Sequence, residues 1–185
     1  MAGADVAIAA WTLPGLAPGI LAQVETIFFE ASGRSFEPGP ERDAFRERWL
    51  GRYREAGDLV FLALAGPQTV AGYLVGAVRN PAEEGRFADI SYFRDQFAAL
   101  CPRFPAHLHI NLAPQFRDKG IGGRLIEAFA ADATRAGARG MHVVTAGAAR
   151  NVAFYVRCGF EAQATALWNG RSIVFLGRSL DPAGR

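Results

Sequence analysis

The apolar positions along the chain change period several times, and each change marks an element. Val6 to Ala10 reads as a short first strand, and beyond the Pro and Gly that follow it Ile20, Val24, Ile27 and Phe28 recur at helical spacing. Glu41 to Ala56 follows Pro40, carries Glu41 and Asp43 in its first turn and repeats Phe45, Trp49 and Tyr53, which predicts a second amphipathic helix ended by Gly57. Leu59 to Ala65 and Val70 to Val78, joined by Gly66-Pro67-Gln68, predict an antiparallel hairpin. Residues 81–105 are less regular, with Ile90, Phe93, Phe97 and Leu100 suggesting a short helix in an inserted loop. His107 to Leu112 is a fourth strand, Ile121 to Ala136 a helix with Leu125, Ile126, Phe129 and Ala133 inward, and Met141 to Thr145 a fifth strand. A strand, a helix and a strand with short connections predict parallel pairing of strands four and five. Asn151 to Cys158 is a last short helix, and Glu161 to Trp168 and Ser172 to Ser179 close the chain as a hairpin around Asn169-Gly170.

These alternations define an α/β fold, and the length of 185 residues fits one domain. Half of the residues are apolar and 21% are charged, which is the composition of a globular chain. The net charge of +2 is spread among interleaved acids and bases, so nothing marks a nucleic-acid-binding face. Cys101 and Cys158 lie far apart with no CxxC spacing, which points to neither a zinc site nor a disulfide framework. No segment has the pattern of a signal peptide or a membrane span, so the expected location is the cytoplasm.

The segment from Ala106 to Ile126 carries the clearest chemistry. A strand runs into a glycine-punctuated turn and directly into a helix, whose first amides have no acceptors inside the helix. Gly120 and Gly122 allow an anion to approach the main chain, the helix dipole favours negative charge, and Arg117, Lys119 and Arg124 add positive field. A nucleotide P-loop would place Ser or Thr after Gly-Lys at the helix start, and a dinucleotide fingerprint would place a third glycine where Leu125 stands. An ordinary strand-to-helix turn with glycine for tightness is the alternative to any ligand.

Arg117-Asp118-Lys119-Gly120-Ile121-Gly122 resembles the signature of the GCN5-related N-acetyltransferase (GNAT) superfamily: Gln or Arg, two residues, Gly, one residue, Gly or Ala. Phe154-Tyr155-Val156-Arg157-Cys158-Gly159-Phe160 looks like that family's Phe-Tyr-x-x-x-Gly-Phe segment. The resemblance covers roughly residues 59–178, and Phe104 to Leu112 is also similar to the strand before this turn in acetyltransferase-like domains of bacterial O-GlcNAcase relatives. It implies a mixed, mostly antiparallel sheet of about seven strands flanked by helices, and acetyl-CoA as cosubstrate without a metal. It implies further that the main chain of Leu112 and Ala113 contacts the pantetheine arm. Arg117, Asp118, Lys119, Gly120, Ile121, Gly122, Gly123 and Arg124 would receive the pyrophosphate, and Tyr155 would protonate the leaving thiolate. Many relatives carry Asn where this chain has Ala148, and Asn151 is the residue placed to take over that polar contact.

The implied reaction is direct attack of a small-molecule or peptide amine on the thioester, in a monomer or homodimer, with a strand N–H such as that of Leu112 stabilising the oxyanion. A non-catalytic acyl-CoA-binding module is the competing reading. The base is open. His107 and His109 share a face of strand four, with His142 on the neighbouring strand, and His109 is the candidate. Alignment on the turn places the catalytic positions of better-known relatives on Ala106 and Leu108, on the opposite face unless a bulge shifts the register. Glu30 and Asp89 are further alternatives, and Phe28, Phe29, Phe45, Trp49 and Tyr53 are chiefly core, some of them able to line an acceptor pocket.

Overall fold

The computed structural model describes residues 6–11, 16–55, 58–147 and 150–181, except for the side chain of Arg150. Among them seven strands form one sheet: β1 (Val6–Trp11), β2 (Asp58–Ala65), β3 (Val70–Ala77), β4 (Ala106–Leu112), β5 (Gly140–Ala146), β6 (Glu161–Trp168) and β7 (Arg171–Ser179). Their order is β1-β2-β3-β4-β5-β7-β6, with β4 and β5 parallel and the β1–β2, β5–β7 and β6–β7 pairs antiparallel. The chain divides into two compact units, Met1–Gly76 with His109–Phe129 and Ala77–Leu108 with Ala130–Arg185. The division passes through β4 and through α4 (Ile121–Arg135).

In the first unit, α1 (Pro18–Ser32) opens on proline and buries Val24, Ile27 and Phe28 at helical spacing. Helix α2 is shorter than the sequence pattern predicts. It runs Pro40–Arg46 and then widens into a π turn, Glu47–Gly51, closed by the Arg52 N–H donating to the Glu47 carbonyl at 3.1 Å. The extra residue shifts the inward face, so that Leu50 and Tyr53 are buried while Trp49 is only half-buried. Gly57, the expected stop, lies outside the described residues. Phe45 stacks against Phe28 and Phe36, joining the helices through an aromatic cluster. Strand β3 is buried along its whole length.

In the second unit, the segment before β4 folds as a single 3-10 turn, Gly85–Phe87, and the one-turn helix α3 (Tyr92–Asp95). The predicted short helix thus ends early, and turns carry Phe97, Cys101 and Phe104 into the core. Helix α5 is Arg150–Arg157. The β6–β7 hairpin turns on Asn169 (φ 48°) and Gly170 (φ 73°), the two positive backbone angles that Asn-Gly supplies.

Candidate acyl-coenzyme site

Strand β4 leads through the 3-10 turn Pro114–Phe116 into Arg117, then Asp118 at φ 59° and Gly120 at φ 74°, and α4 starts at Ile121. Gly120 sits in the left-handed region that glycine adopts without penalty. The first bond of the helix runs from the Arg124 N–H to the Gly120 carbonyl at 3.2 Å. The amides of Ile121, Gly122 and Gly123 therefore precede any acceptor within α4 and point out of its start. A Cβ added at Gly123 meets nothing within 4 Å, so this glycine leaves open space at the helix start. Arg117, Lys119 and Arg124 are exposed around the turn, with Arg117 Nε donating to the Leu112 carbonyl at 3.2 Å. Their charge outweighs that of Asp118, and the dipole of a 15-residue helix adds to it. These features fit a coenzyme pyrophosphate.

The end of β4 is equally informative. Ala106, His107 and Leu108 are buried, yet His109, Ile110, Asn111 and Leu112 are only half-buried although β4 is the middle strand of the sheet. Parallel pairing with β5 comprises Ala106↔Met141 and His107↔His142 among the described residues. The Ala113 N–H donates to the Ala71 carbonyl of β3 at 3.0 Å, and the Ala113 carbonyl accepts the Phe116 N–H at 2.9 Å. Ala113 is thus committed to the protein's own bonds. Because successive residues of a strand point their N–H groups to opposite edges, Leu112 directs its N–H away from β3. The approach of β3 to this edge depends on Gly72, where a Cβ would clash with the Leu112 side chain and stand 2.8 Å from the Asn111 carbonyl oxygen.

The three histidines separate into two groups. In the second unit His107 stacks on His142 with ring centroids 5.7 Å apart, and His142 donates Nδ1–H to the Phe104 carbonyl at 2.6 Å. Both are buried among Phe87, Phe93 and Phe175. In the first unit His109 meets Trp49 edge-on at 5.4 Å and Tyr53 at 5.8 Å. Burial, and then the positive field of Arg52, pull its pKa down to about 4, so the ring is neutral near pH 7. Ala106 and Leu108, the positions that alignment matches to catalytic groups of relatives, are buried apolar side chains with no proton to exchange. Glu30 is exposed at the end of α1, and Asp89 is exposed in the turn after Phe87. Among the described residues no cluster of three or more His, Cys, Asp or Glu side chains is arranged to hold a metal ion.

Tyr155 lies in the second unit on α5, 7% exposed and packed edge-on against Phe160 at 5.5 Å. Burial first, and Cys158 second, raise its phenol well above the ordinary value, so the hydroxyl keeps its proton at neutral pH. Asn151 is exposed at the start of α5 and donates Nδ2–H to Thr145 Oγ1 of β5 at 3.1 Å. Ala148 lies outside the described residues. Three features of the site carry weaker marks in the sequence: the π turn, the close approach at Gly72, and the bond from Asn111 Nδ2 to the Tyr73 hydroxyl at 2.8 Å. The alternation of β3 and β4 would place Tyr73 and Asn111 on one face only once their register was known.

The seven-stranded sheet is shared with solved structures of the GNAT fold. A GNAT-family protein from Desulfovibrio desulfuricans superposes with TM-score 0.67 at 22% identity, over 96% of this chain and all of that one. The yncA protein of Salmonella typhimurium, a proposed acetyltransferase solved with its cofactor acetyl-CoA, gives 0.61 at 16% identity, over 96% of this chain and 95% of that one. A spermidine N-acetyltransferase SpeG chimera from Vibrio cholerae and hSSAT gives 0.62 at 16%, over 94% and 95%. The model of the acetyltransferase (GNAT) domain matches residues 58–162, and the chain belongs to that family. The matched segment draws on both compact units. No curated protein matches, and the narrower likeness of β4 to O-GlcNAcase relatives is not carried by these similarities.

Proposed function

We propose that the whole chain acts as one acetyltransferase domain that moves an acetyl group from acetyl-CoA to an amine by direct attack. The observation that carries this reading is the start of α4, where three outward amides, the left-handed Gly120 and an excess of positive side chains form one anion cradle directly after β4. The Ile121, Gly122 and Gly123 amides take the pyrophosphate, with Arg117, Lys119 and Arg124 around it. The Leu112 edge takes the pantetheine arm, and Asn151 adds a polar contact. The coenzyme supplies the activated acyl carbon.

The remaining work falls to this chain's own groups. The outward Leu112 N–H is fixed by the strand and opposes negative charge developing on a carbonyl oxygen without having to reorganise. His109, neutral at working pH, accepts the proton of the nitrogen once that nitrogen has become acidic through bond formation. Tyr155 delivers its proton to the departing sulfur. Titration of the chain with acetyl-CoA, followed by transfer assays over an amine panel, tests the reading. Saturable binding with turnover supports it, and binding without turnover for any amine favours the non-catalytic module.

A further inference from the structure

Of the 20 lysine and arginine residues in these 185, Lys119 is the single lysine, and it stands in the anion cradle, two residues before α4 begins. An arginine side chain stays charged, whereas the lysine amine is the group that acetylation targets. The one side-chain amine of the sequence thus lies beside the amides of Ile121, Gly122 and Gly123, with Arg117 and Arg124 around it. Lys119 is exposed, and its Nζ lies 5.6 Å from the centre of the Phe116 ring in the preceding 3-10 turn. A contact of this kind at an exposed site is weak enough to release the amine.

We propose that Lys119 is a modification site: an acyl phosphate acetylates its Nζ, and the modified cradle holds coenzyme more weakly. The inference rests on the anion cradle of the reading above and requires no catalysis by the chain. The class of donor follows from where its charge sits. In an acyl phosphate the phosphate is bonded directly to the acyl group, so a phosphate held at the start of α4 brings the acyl carbon within the span of the Lys119 side chain. In acetyl-CoA the pantetheine arm separates the pyrophosphate from the thioester, so a pyrophosphate in the cradle keeps the acyl carbon away from Lys119. The neutral Nζ attacks the acyl carbon of the acyl phosphate and the N–C bond forms. The C–O bond to phosphate breaks, inorganic phosphate leaves, and the proton of the nitrogen passes to water. The product is a neutral amide. Arg117 and Arg124 remain as the positive side chains of the turn, and the lost charge weakens the attraction for a pyrophosphate. Coenzyme covers the same amides, so an occupied cradle protects Lys119 and an empty one exposes it.

The test incubates the full chain with acetyl phosphate or with acetyl-CoA at equal concentration and follows Lys119 by peptide mass spectrometry. Nα-acetyl-lysine amide in the same tube reports the reactivity of an ordinary exposed lysine. Acetyl phosphate should modify Lys119 at least about tenfold faster than this reference, a small part of what proximity of reacting groups can supply. Inorganic pyrophosphate should suppress that advantage, and acetyl-CoA as donor should show none. In calorimetry, acetyl-CoA should bind the acetylated chain and Lys119→Gln about two- to fivefold more weakly than the parent, the scale of one exposed ion pair. Lys119→Arg, which keeps the charge, should stay closer to the parent than Lys119→Gln does. Modification of Lys119 no faster than the reference, or an advantage that pyrophosphate leaves intact, overturns the inference while the coenzyme site stands. An acetylated chain that binds acetyl-CoA as tightly as the parent overturns the control of affinity. A parent chain that binds no acetyl-CoA removes the acetyltransferase reading and that control with it.

Discussion

Replacing Gly123 by leucine separates coenzyme binding from folding more cleanly than any other change at the turn. Gly120 is held at φ 74° and Gly122 is buried, so a side chain at either perturbs the protein itself. A Cβ at Gly123, by contrast, meets nothing within 4 Å. Cα–Cβ bonds in a helix tilt toward its N-terminus, so the leucine side chain extends over the amides at the start of α4. Leucine also favours the helical conformation over glycine by up to about 0.8 kcal/mol, less in the first turn, which raises Tm by roughly 1–3 °C. Covering the cradle costs one or two hydrogen bonds to a charged phosphate, about 1.5–3 kcal/mol each, and the first alone weakens Kd by about 10- to 100-fold. The assay pairs thermal unfolding of the ligand-free variant with calorimetric titration by acetyl-CoA. Unchanged affinity in a variant that folds as well as the parent refutes the assignment of the anion to the start of α4.

Gly72→Ala forces a methyl group against Leu112 and the Asn111 carbonyl, and is expected to lower stability by about 1–3 kcal/mol in urea unfolding, as overpacking does. A neutral result shows that β3 and β4 do not need this close approach. Tyr155→Phe should reduce kcat by tenfold or more while acetyl-CoA affinity stays within about twofold, the range of a lost general acid being about 10²–10⁴ at most; equal turnover removes the acid role. The folded chain keeps His109 unprotonated down to about pH 4, whereas the unfolded chain binds a proton there below about 6.5. Stability should therefore rise with pH between those values and fall on acidification, by on the order of 3 kcal/mol from this residue. His109→Gln should flatten that part of the stability profile, and an unaltered slope shows that the ring is not desolvated.

The elements most legible in the sequence are those whose signals are local. Asn169-Gly170 specifies a two-residue turn through its own backbone angles, and the hairpin stands where the pattern placed it. The strand, turn and helix around Gly120 are similarly self-contained, because the apolar stripe Leu125, Ile126, Phe129 and Ala133 and the glycines before it lie within one short segment. The second helix is different. Phe45, Trp49 and Tyr53 repeat every four residues and suggest a continuous helix, but the π turn inserts a residue and passes the buried role to Leu50. That widening leaves no mark in the spacing of the apolar residues. The Asn111–Tyr73 bond was hidden for a related reason: it joins residues 38 apart, and only the pairing of β3 with β4 sets which side chains share a face. Ala113 shows the same limit, since its N–H belongs to Ala71 and leaves Leu112 as the residue that faces outward.

Backbone amide chemical shifts, recorded on the full chain while acetyl-CoA is added, test the central claim most directly. The account predicts saturable changes that are largest at Leu112 and at Gly120, Ile121, Gly122 and Gly123, with the Ala113 amide, bonded to Ala71, changing much less. Saturable binding that leaves the amides of Gly120 to Gly123 unmoved would contradict it.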